Sequence, residues 1–282
     1  MKTVTLNNGV EMPIFGLGTF PLRKREGTDA FLMAFDMGYR LIDTARYYQN
    51  EDAVGQALVE TSVSREELFV TTKIYHHDYE NCYEAACDSL KTLQTDYVDL
   101  LLLHWPFGNY YKAWRDLERI YKEGKARAIG VSNFNPDRLV DLIYNNEIKP
   151  AVNQVETNIY CQRKDMKGWF VRLGIQQEAY SPLSRIGEFK EHPIIKSLCE
   201  KYNKSASQIA LNFIVSQGIV AISKSGNKER MKENLEIFDF SLTENERLLI
   251  ETLNREAPLC GNPENIETAF ASGTWPKKMF DD

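Results

Sequence analysis

The sequence has no long hydrophobic run. No apolar stretch approaches the roughly 18 residues of a membrane span, and residues 1–9 lack the apolar core of a signal peptide. The expected location is the cytoplasm, with no membrane partner. Cysteine is sparse and shows no pattern: the five thiols, Cys82, Cys87, Cys161, Cys199 and Cys260, are odd in number and scattered, with no Cys-x-x-Cys pair. That speaks against a disulfide framework and a thiolate metal site, and reads as reduced packing thiols. Histidine is as scarce. His76, His77, His104 and His192 are the full set, and none stands at His-x-His or His-x-x-x-His spacing. A metal-dependent hydrolase needs more convergent ligands, so no metal is expected. Positive charge is not in excess either: 34 Lys and Arg face 40 Asp and Glu, a formal net charge of -6. Nucleic acid binding wants a basic face, so nucleic acid is not the expected partner. A local basic pocket for a phosphorylated cofactor stays open. One glycine is also missing. Gly16-Leu-Gly18 is followed by Thr19-Phe20-Pro21, without the third glycine of a doubly wound dinucleotide fold.

What is present is an alternation of buried strands and amphipathic helices. Residues 4–13 read as a small hairpin around Asn7-Asn8-Gly9, because Asn-Gly tolerates positive φ. Eight strands follow, at 14–17, 40–43, 68–73, 98–104, 126–132, 151–156, 175–180 and 219–224. The fourth is the plainest. Val98-Asp-Leu-Leu-Leu-Leu-His104 is apolar on both faces, as in a parallel sheet, and Pro106 ends it. Helical periodicity fills the gaps, for example at 29–37, 81–93 and 112–122, where Trp114, Leu117, Ile120 and Tyr121 share a face. Start signals agree: Asn135-Pro136, and the capping boxes Ser205 to Gln208 and Thr243 to Glu246. Extra helix is expected at 193–202 and 239–253, and a punctuated tail at 257–282 over one end. Eight strand–helix units in sequence predict a (β/α)8 barrel of the α/β class. One domain over residues 1–282 is the expected organisation.

A barrel gathers the C-terminal ends of its strands around one pocket. Those ends carry Asp43, with Tyr47 and Tyr48 just after; Lys73; His104; Ser132-Asn133; Gln154 and Glu156; Tyr180-Ser181; and Lys224-Ser225. Singly, each has a plain alternative as a turn, cap or solvated residue. Chance rarely sets Asp, Tyr, Lys and His on three successive strand ends.

The motifs occur in a recognisable order. They are Asp43-Thr-Ala-x-x-Tyr48-x-Asn-Glu51-x-x-Val-Gly55, Thr71-Thr-Lys73, Leu-Leu-Leu-His104-Trp-Pro, Gly130-Val-Ser-Asn-Phe134, Asn153-Gln-Val-Glu156, Tyr180-Ser-Pro-Leu183 and Lys224-Ser-x-x-x-x-Arg230-x-x-Glu-Asn234. The chain resembles the aldo-keto reductases over nearly its whole length. The resemblance implies NADPH extended across the C-terminal face of the barrel, and reduction of aldehydes or ketones to alcohols. By position, Asp43, Tyr48, Lys73 and His104 match the family's catalytic four. Ser132, Asn133 and Gln154 match its carboxamide contacts, and Tyr180 its nicotinamide-stacking ring. Lys224, Ser225, Asn227, Arg230, Glu233 and Asn234 match its adenosine-phosphate segment. Gly18, Thr19, Phe20, Ser181, Leu183 and Gly226 complete the expected cofactor contacts. Phe20, Tyr48, His104 and Trp105 are the expected substrate contacts, with Tyr47, Phe107 and Trp275 as further pocket candidates. A monomer acting on a small-molecule carbonyl substrate is the expected state. The chain departs from the family pattern at Ile222-Ser-Lys, at Asn158-Ile159, at Arg185 and at Phe20.

The chemistry fits those residue types. A free tyrosine, with a pKa near ~10, is a reluctant acid at neutral pH. A neighbouring ammonium lowers that value by roughly 1–3 units. Lys73 can supply the ammonium, Asp43 can hold it, and His104 can hydrogen-bond the carbonyl oxygen. A binding or structural protein on the same barrel is the competing class. The complete set of four weighs against it.

Overall fold

The computed structural model describes residues 2–260 and residue 263. Eight parallel strands close into a barrel. A short antiparallel hairpin, β1 (Thr3–Thr5) and β2 (Glu11–Pro13), precedes it. The barrel strands are β3 (Phe15–Gly18), β4 (Leu41–Asp43), β5 (Phe69–Ile74), β6 (Val98–Leu103), β7 (Ala126–Ser132), β8 (Val152–Glu156), β9 (Gln176–Tyr180) and β10 (Val220–Lys224). Each of the eight sequence-expected strands is there, with ends shifted by no more than a residue. β10 pairs with β3 to close the ring. The two glycines of Gly16-Leu-Gly18 belong to this closure. A Cβ on Gly16 would lie 2.4 Å from Leu41 Cγ. The glycine therefore makes room for a side chain of the next strand, not for a phosphate.

The hairpin turn differs in detail from expectation. Only Gly9 takes positive φ, at 85°. Gly9 N donates to Leu6 O and Leu6 N to Val10 O, so the loop spans more than two residues and asks left-handed backbone of one of them alone. Asn7 and Asn8 instead use their amides to fasten the hairpin to the barrel, donating to the carbonyls of Pro150 and Arg127.

Period two along the strands sorts the side chains. One set points into the barrel. Its lower layers are apolar: Leu41, Phe69, Leu100, Leu102, Ala128, Val152 and Val220 form a buried cluster with Leu6 and Met12 of the hairpin. The hairpin thus plugs the N-terminal end. The other set faces the helices and joins them in the larger core. Helix α1 (Lys24–Asp36) packs on α2 (Glu51–Glu60), and α3 (Cys82–Thr92) on α4 (Tyr110–Lys122). In α4, Ala113, Trp114, Leu117 and Ile120 are buried, at the helical spacing the sequence shows. Helix α5 (Pro136–Tyr144) begins at the expected proline, although the Asn135 side chain does not cap it. The ring continues with α6 (Lys164–Leu173), α7 (Ile186–Phe189), α8 (Pro193–Tyr202) and α9 (Ala206–Val215), then α10 (Lys228–Leu235) and α11 (Glu244–Glu251). Both expected capping boxes form, at Ser205 and at Thr243.

All five cysteines are free; Cys82 and Cys161 are buried and Cys260 is exposed. No helix among the described residues is long and apolar enough to cross a membrane. Most of the expected tail, with Trp275, lies outside the described residues.

Candidate active site

The same period of two that buries an apolar layer below brings polar residues together above it. Two residues beyond Leu41 is Asp43. Two beyond Thr71 is Lys73, and two beyond Leu102 is His104. The ends of β7 to β10 contribute Ser132, Gln154, Glu178, Tyr180 and Lys224 by the same count. Pairing sets their heights: Asp43 lies opposite Thr71, Lys73 opposite Leu102, and Ser132 opposite Gln154. Asp43, His104, Ser132, Gln154, Tyr180 and Lys224 line a cavity of about 570 Å³, and Lys73 and Glu178 are buried behind that lining.

Lys73 is fully buried beneath that cavity, with a relative exposure of 0%. Its Nζ lies 2.5 Å from Asp43 Oδ1 and donates to the Thr44 carbonyl at 2.9 Å. It also stands 5.2 Å from the centre of the Tyr48 ring. Tyr48 comes from the short 3-10 turn Arg46–Tyr48 that follows β4. Thr44 Oγ1 bonds Asn50, whose amide holds the Leu22 carbonyl, so the loops after β3 and β4 are tied together.

Burial would strip Lys73 of its proton, but the Asp43 carboxylate, Tyr48 and Glu178 together more than offset this, and the pKa of the ammonium is held above its ordinary value. Burial pushes the Tyr48 hydroxyl above its ordinary value. Lys73 pulls against that rise, and Asp43 adds to it. The expected lowering of the tyrosine by Lys73 is therefore real in sign but outweighed by desolvation, so Tyr48 stays a phenol well past neutrality. His104 moves the other way. Burial, then Lys73 and His76, push its pKa well below the ordinary value, so the ring is neutral. Its Nδ1 is buried without a hydrogen-bond partner, which leaves hydrogen-bonding capacity for a ligand.

The neighbouring groups form a continuous network. Tyr180 donates to Asn133 Oδ1 at 2.8 Å, and Asn133 Nδ2 donates to the His104 carbonyl at 3.1 Å. Asn133 does so from left-handed backbone, φ 65°. Ser132 Oγ donates to the Gln154 carbonyl, and Gln154 Nε2 donates to Asp43 Oδ2 at 2.8 Å. The cavity wall collects the expected Gly18, Thr19, Phe20, Asp43, Tyr48, His104, Trp105, Ser132, Asn133, Gln154, Tyr180, Ser181, Leu183 and Lys224, together with Tyr47. Thr19 Oγ1 is buried there with no partner.

Apart from Lys224, the phosphate-segment candidates lie beyond this cavity wall. Asn227 caps α10 by accepting from Arg230 N at 2.9 Å, and Ser225 Oγ closes the turn by accepting from Asn227 N at 3.1 Å. Lys224, Gly226 and Arg230 are exposed. Among the described residues neither Lys224 nor Arg230 is ion-paired. Glu233 and Asn234 are already engaged, Glu233 by the Ser205 hydroxyl and Asn234 with Ser223 Oγ at 3.3 Å. Arg185, at left-handed φ 60°, pairs with Glu188 at 3.0 Å.

Two readings need revision. From their place just past Lys73, His76 and His77 are expected to face solvent or the pocket rim; His77 is exposed, but His76 is buried between Tyr75 and Phe107. Phe107 packs with it behind Trp105 and is not part of the cavity wall. The structure adds Tyr75 and Glu178 to the residues named from the sequence. Tyr75 stacks on Tyr47 with ring centres 4.2 Å apart and lines the cavity. Glu178 is an ionisable residue in a buried strand, two residues before Tyr180, and that spacing is the signal that reveals it. No cluster of metal-ligating residues occurs among the described residues.

The family model described as Aldo/keto reductase family matches residues 14–255. The chain is similar to the glyoxal reductase of Bacillus subtilis (strain 168), at 44% identity over 268 residues, covering 94% of this chain and 97% of the relative. It is similar to the methylglyoxal reductase DkgA of Escherichia coli (strain K12), at 38% identity over 267 residues, covering 93% and 97%. Among solved structures it is similar to a Bombyx mori aldo-keto reductase in complex with NADP. The TM-score is 0.87 and the identity 34%, with 95% of this chain and 96% of the other covered.

Proposed function

Since this chain belongs to the aldo/keto reductase family, we propose that it is an NADPH-dependent reductase of small aldehydes and ketones, with Tyr48 as the proton donor. The observation that carries this reading is the contact of Lys73 with Asp43 directly beneath Tyr48. A carbonyl oxygen that gains negative charge needs a proton and a fixed donor. Tyr48 holds the proton, Lys73 and Asp43 tune and orient it, and neutral His104 supplies a hydrogen bond. A reduced nicotinamide, when bound, supplies the hydride. The residues fit that group. Tyr180 offers a ring face beside the cavity; Thr19 Oγ1 and His104 Nδ1 are buried polar atoms without partners. Ser132, Asn133 and Gln154 would hold the carboxamide. Lys224 and Arg230 would meet the 2′-phosphate at the start of α10.

Phe20, Tyr47, Tyr75 and Trp105 give the cavity an aromatic wall with His104 and Tyr48 as its polar end. That shape suits a compact carbonyl compound. Relatives named for glyoxal and methylglyoxal make small dicarbonyls the first substrates to try. A monomer acting as a single barrel domain belongs to the same proposal. A steady-state screen of dicarbonyls, aldehydes, ketones and sugars tests the reading, with NADPH and with NADH. Consumption of NADPH with small aldehydes and dicarbonyls is expected. No turnover of any carbonyl with either cofactor would refute it.

A further inference from the structure

Glu178 has no part in the chemistry described above, yet it lies within it. It belongs to the inward-facing set of β9, two residues before Tyr180, and has a relative exposure of 0%. Its Oε2 accepts from Gln154 Nε2 at 2.8 Å. The same nitrogen donates to Asp43 Oδ2 at 2.8 Å. Glu178 Oε1 has no partner. Glu178, Gln154, Asp43 and Lys73 therefore form one buried chain that ends under Tyr48.

A primary amide has two N–H donors and one carbonyl acceptor. The Asp43 carboxylate can only accept, so the amide nitrogen must face it, and the second N–H of that nitrogen meets Glu178 Oε2 as its acceptor. Glu178 and Asp43 together fix which way the Gln154 amide points. Its carbonyl oxygen is the polar atom left over, on a side chain that lines the cavity. With Asp43 alone, the amide could turn about its terminal torsion, which is soft.

We propose that Glu178 is a positioning residue for carbonyl reduction: through Gln154 it sets the Asp43–Lys73 pair and turns the Gln154 carbonyl oxygen toward the nicotinamide site. The proposal rests on the carbonyl-reductase reading. The charged and titratable groups that face Glu178 are Asp43 from β4 and Lys73 from β5. Gln154 of β8 is neutral, and the β10 residues paired beside it, Val220 and Ala221, do not titrate. Burial, with Asp43 next, pushes the Glu178 carboxyl up to about 8. At neutral pH it is a neutral acid and adds no second negative charge beside Asp43. Above that range it ionises, and its charge adds to that of Asp43 in holding the proton on Lys73 under Tyr48.

Two variants separate these roles. Glu178→Gln keeps an acceptor but cannot ionise; Glu178→Leu removes the acceptor. The pH profile of reduction and the NADPH Kd, the latter from fluorescence quenching without turnover, are measured for each. Glu178→Gln should move the alkaline limb of reduction down by about one pH unit while holding the NADPH Kd within about twofold. Glu178→Leu should weaken NADPH by about tenfold, the loss of one oriented hydrogen bond. The proposal is overturned if the Gln variant keeps the wild-type alkaline limb, or if a folded Leu variant binds NADPH as the wild type does. Should the Leu variant not fold, the profile of the Gln variant decides alone. A wild type that binds NADPH but reduces no carbonyl would refute the functional reading instead, and the Leu-variant Kd would then decide the Gln154 part.

Discussion

The Lys73 ammonium stands 5.2 Å from the centre of the Tyr48 ring, and its charge works against the effect of burial on the tyrosine. Burial raises the tyrosine pKa, and the lysine charge restrains the rise. Reduction needs Tyr48 protonated, while alcohol oxidation needs it ionised. Because the Tyr48 pKa lies above its ordinary value, reduction should be flat through neutral pH and fall only in the alkaline range. Oxidation should climb as pH rises. Lys73→Met removes the restraining charge and should displace the oxidation profile upward by roughly 1–3 pH units, with lower kcat in both directions. The pH–rate profiles in both directions check this. An unchanged profile would free Tyr48 from any tuning by Lys73.

Cofactor choice is expected to lie at the start of α10. Arg230 is exposed and not ion-paired among the described residues, and a guanidinium there can form a forked pair with a 2′-phosphate. A charge-assisted contact is worth roughly 1.5–3 kcal/mol. Arg230→Ala should therefore weaken NADPH by about tenfold or more and leave NADH nearly unchanged. Fluorescence titration with both cofactors measures it. Equal loss for the two would show that Arg230 does not read the phosphate.

The barrel was legible because two periods coexist in the chain: short apolar runs for strands and helical spacing between them. The candidate catalytic four were legible because Asp43, Lys73 and His104 stand at strand ends and Tyr48 follows Asp43 by five residues. Glu178 and Tyr75 were not. Glu178 sits inside a strand, where the break in the apolar run marks only the terminal residue, although counting back two from Tyr180 reaches it. Tyr75 falls one residue after β5, in a turn whose path no periodicity fixes. The burial of His76 depends on Phe107, thirty-one positions away, a tertiary contact that a local pattern does not carry. The bonds that engage Glu233 with Ser205 and Asn133 with Tyr180 are likewise long-range.

Helix packing beneath the site offers a stability test. A Cβ on Gly55 of α2 would meet the Thr92 carbonyl oxygen at 2.6 Å and Leu93 backbone atoms at 2.8 Å. Backbone cannot rotate away as a side chain can. Gly55→Ala should cost about 1–3 kcal/mol through forced separation of α2 from α3, despite the better helix propensity of alanine. Denaturant unfolding measures it, and a gain in stability would refute the close approach.

The Tyr47–Tyr75 stack, with rings 17° from parallel, forms one wall of the cavity. An aromatic contact of this kind is worth roughly 0.5–1.5 kcal/mol. Tyr75→Ala should raise KM for an aromatic aldehyde by about threefold to tenfold, and change the KM for glyoxal, which has no ring to stack, much less. Steady-state kinetics with the two substrates tests it. Equal effects on both would mean that the stack does not contact substrate.

The central claim is that Tyr48 delivers the proton. Tyr48→Phe removes one hydroxyl and keeps the ring that packs near Phe20 and His104. The decisive measurement is kcat for reduction of a small aldehyde by this variant, beside its NADPH Kd. The account predicts a loss of roughly 10²–10⁴-fold in kcat with the Kd unchanged. A kcat near that of the wild type, at unchanged Kd, would contradict it.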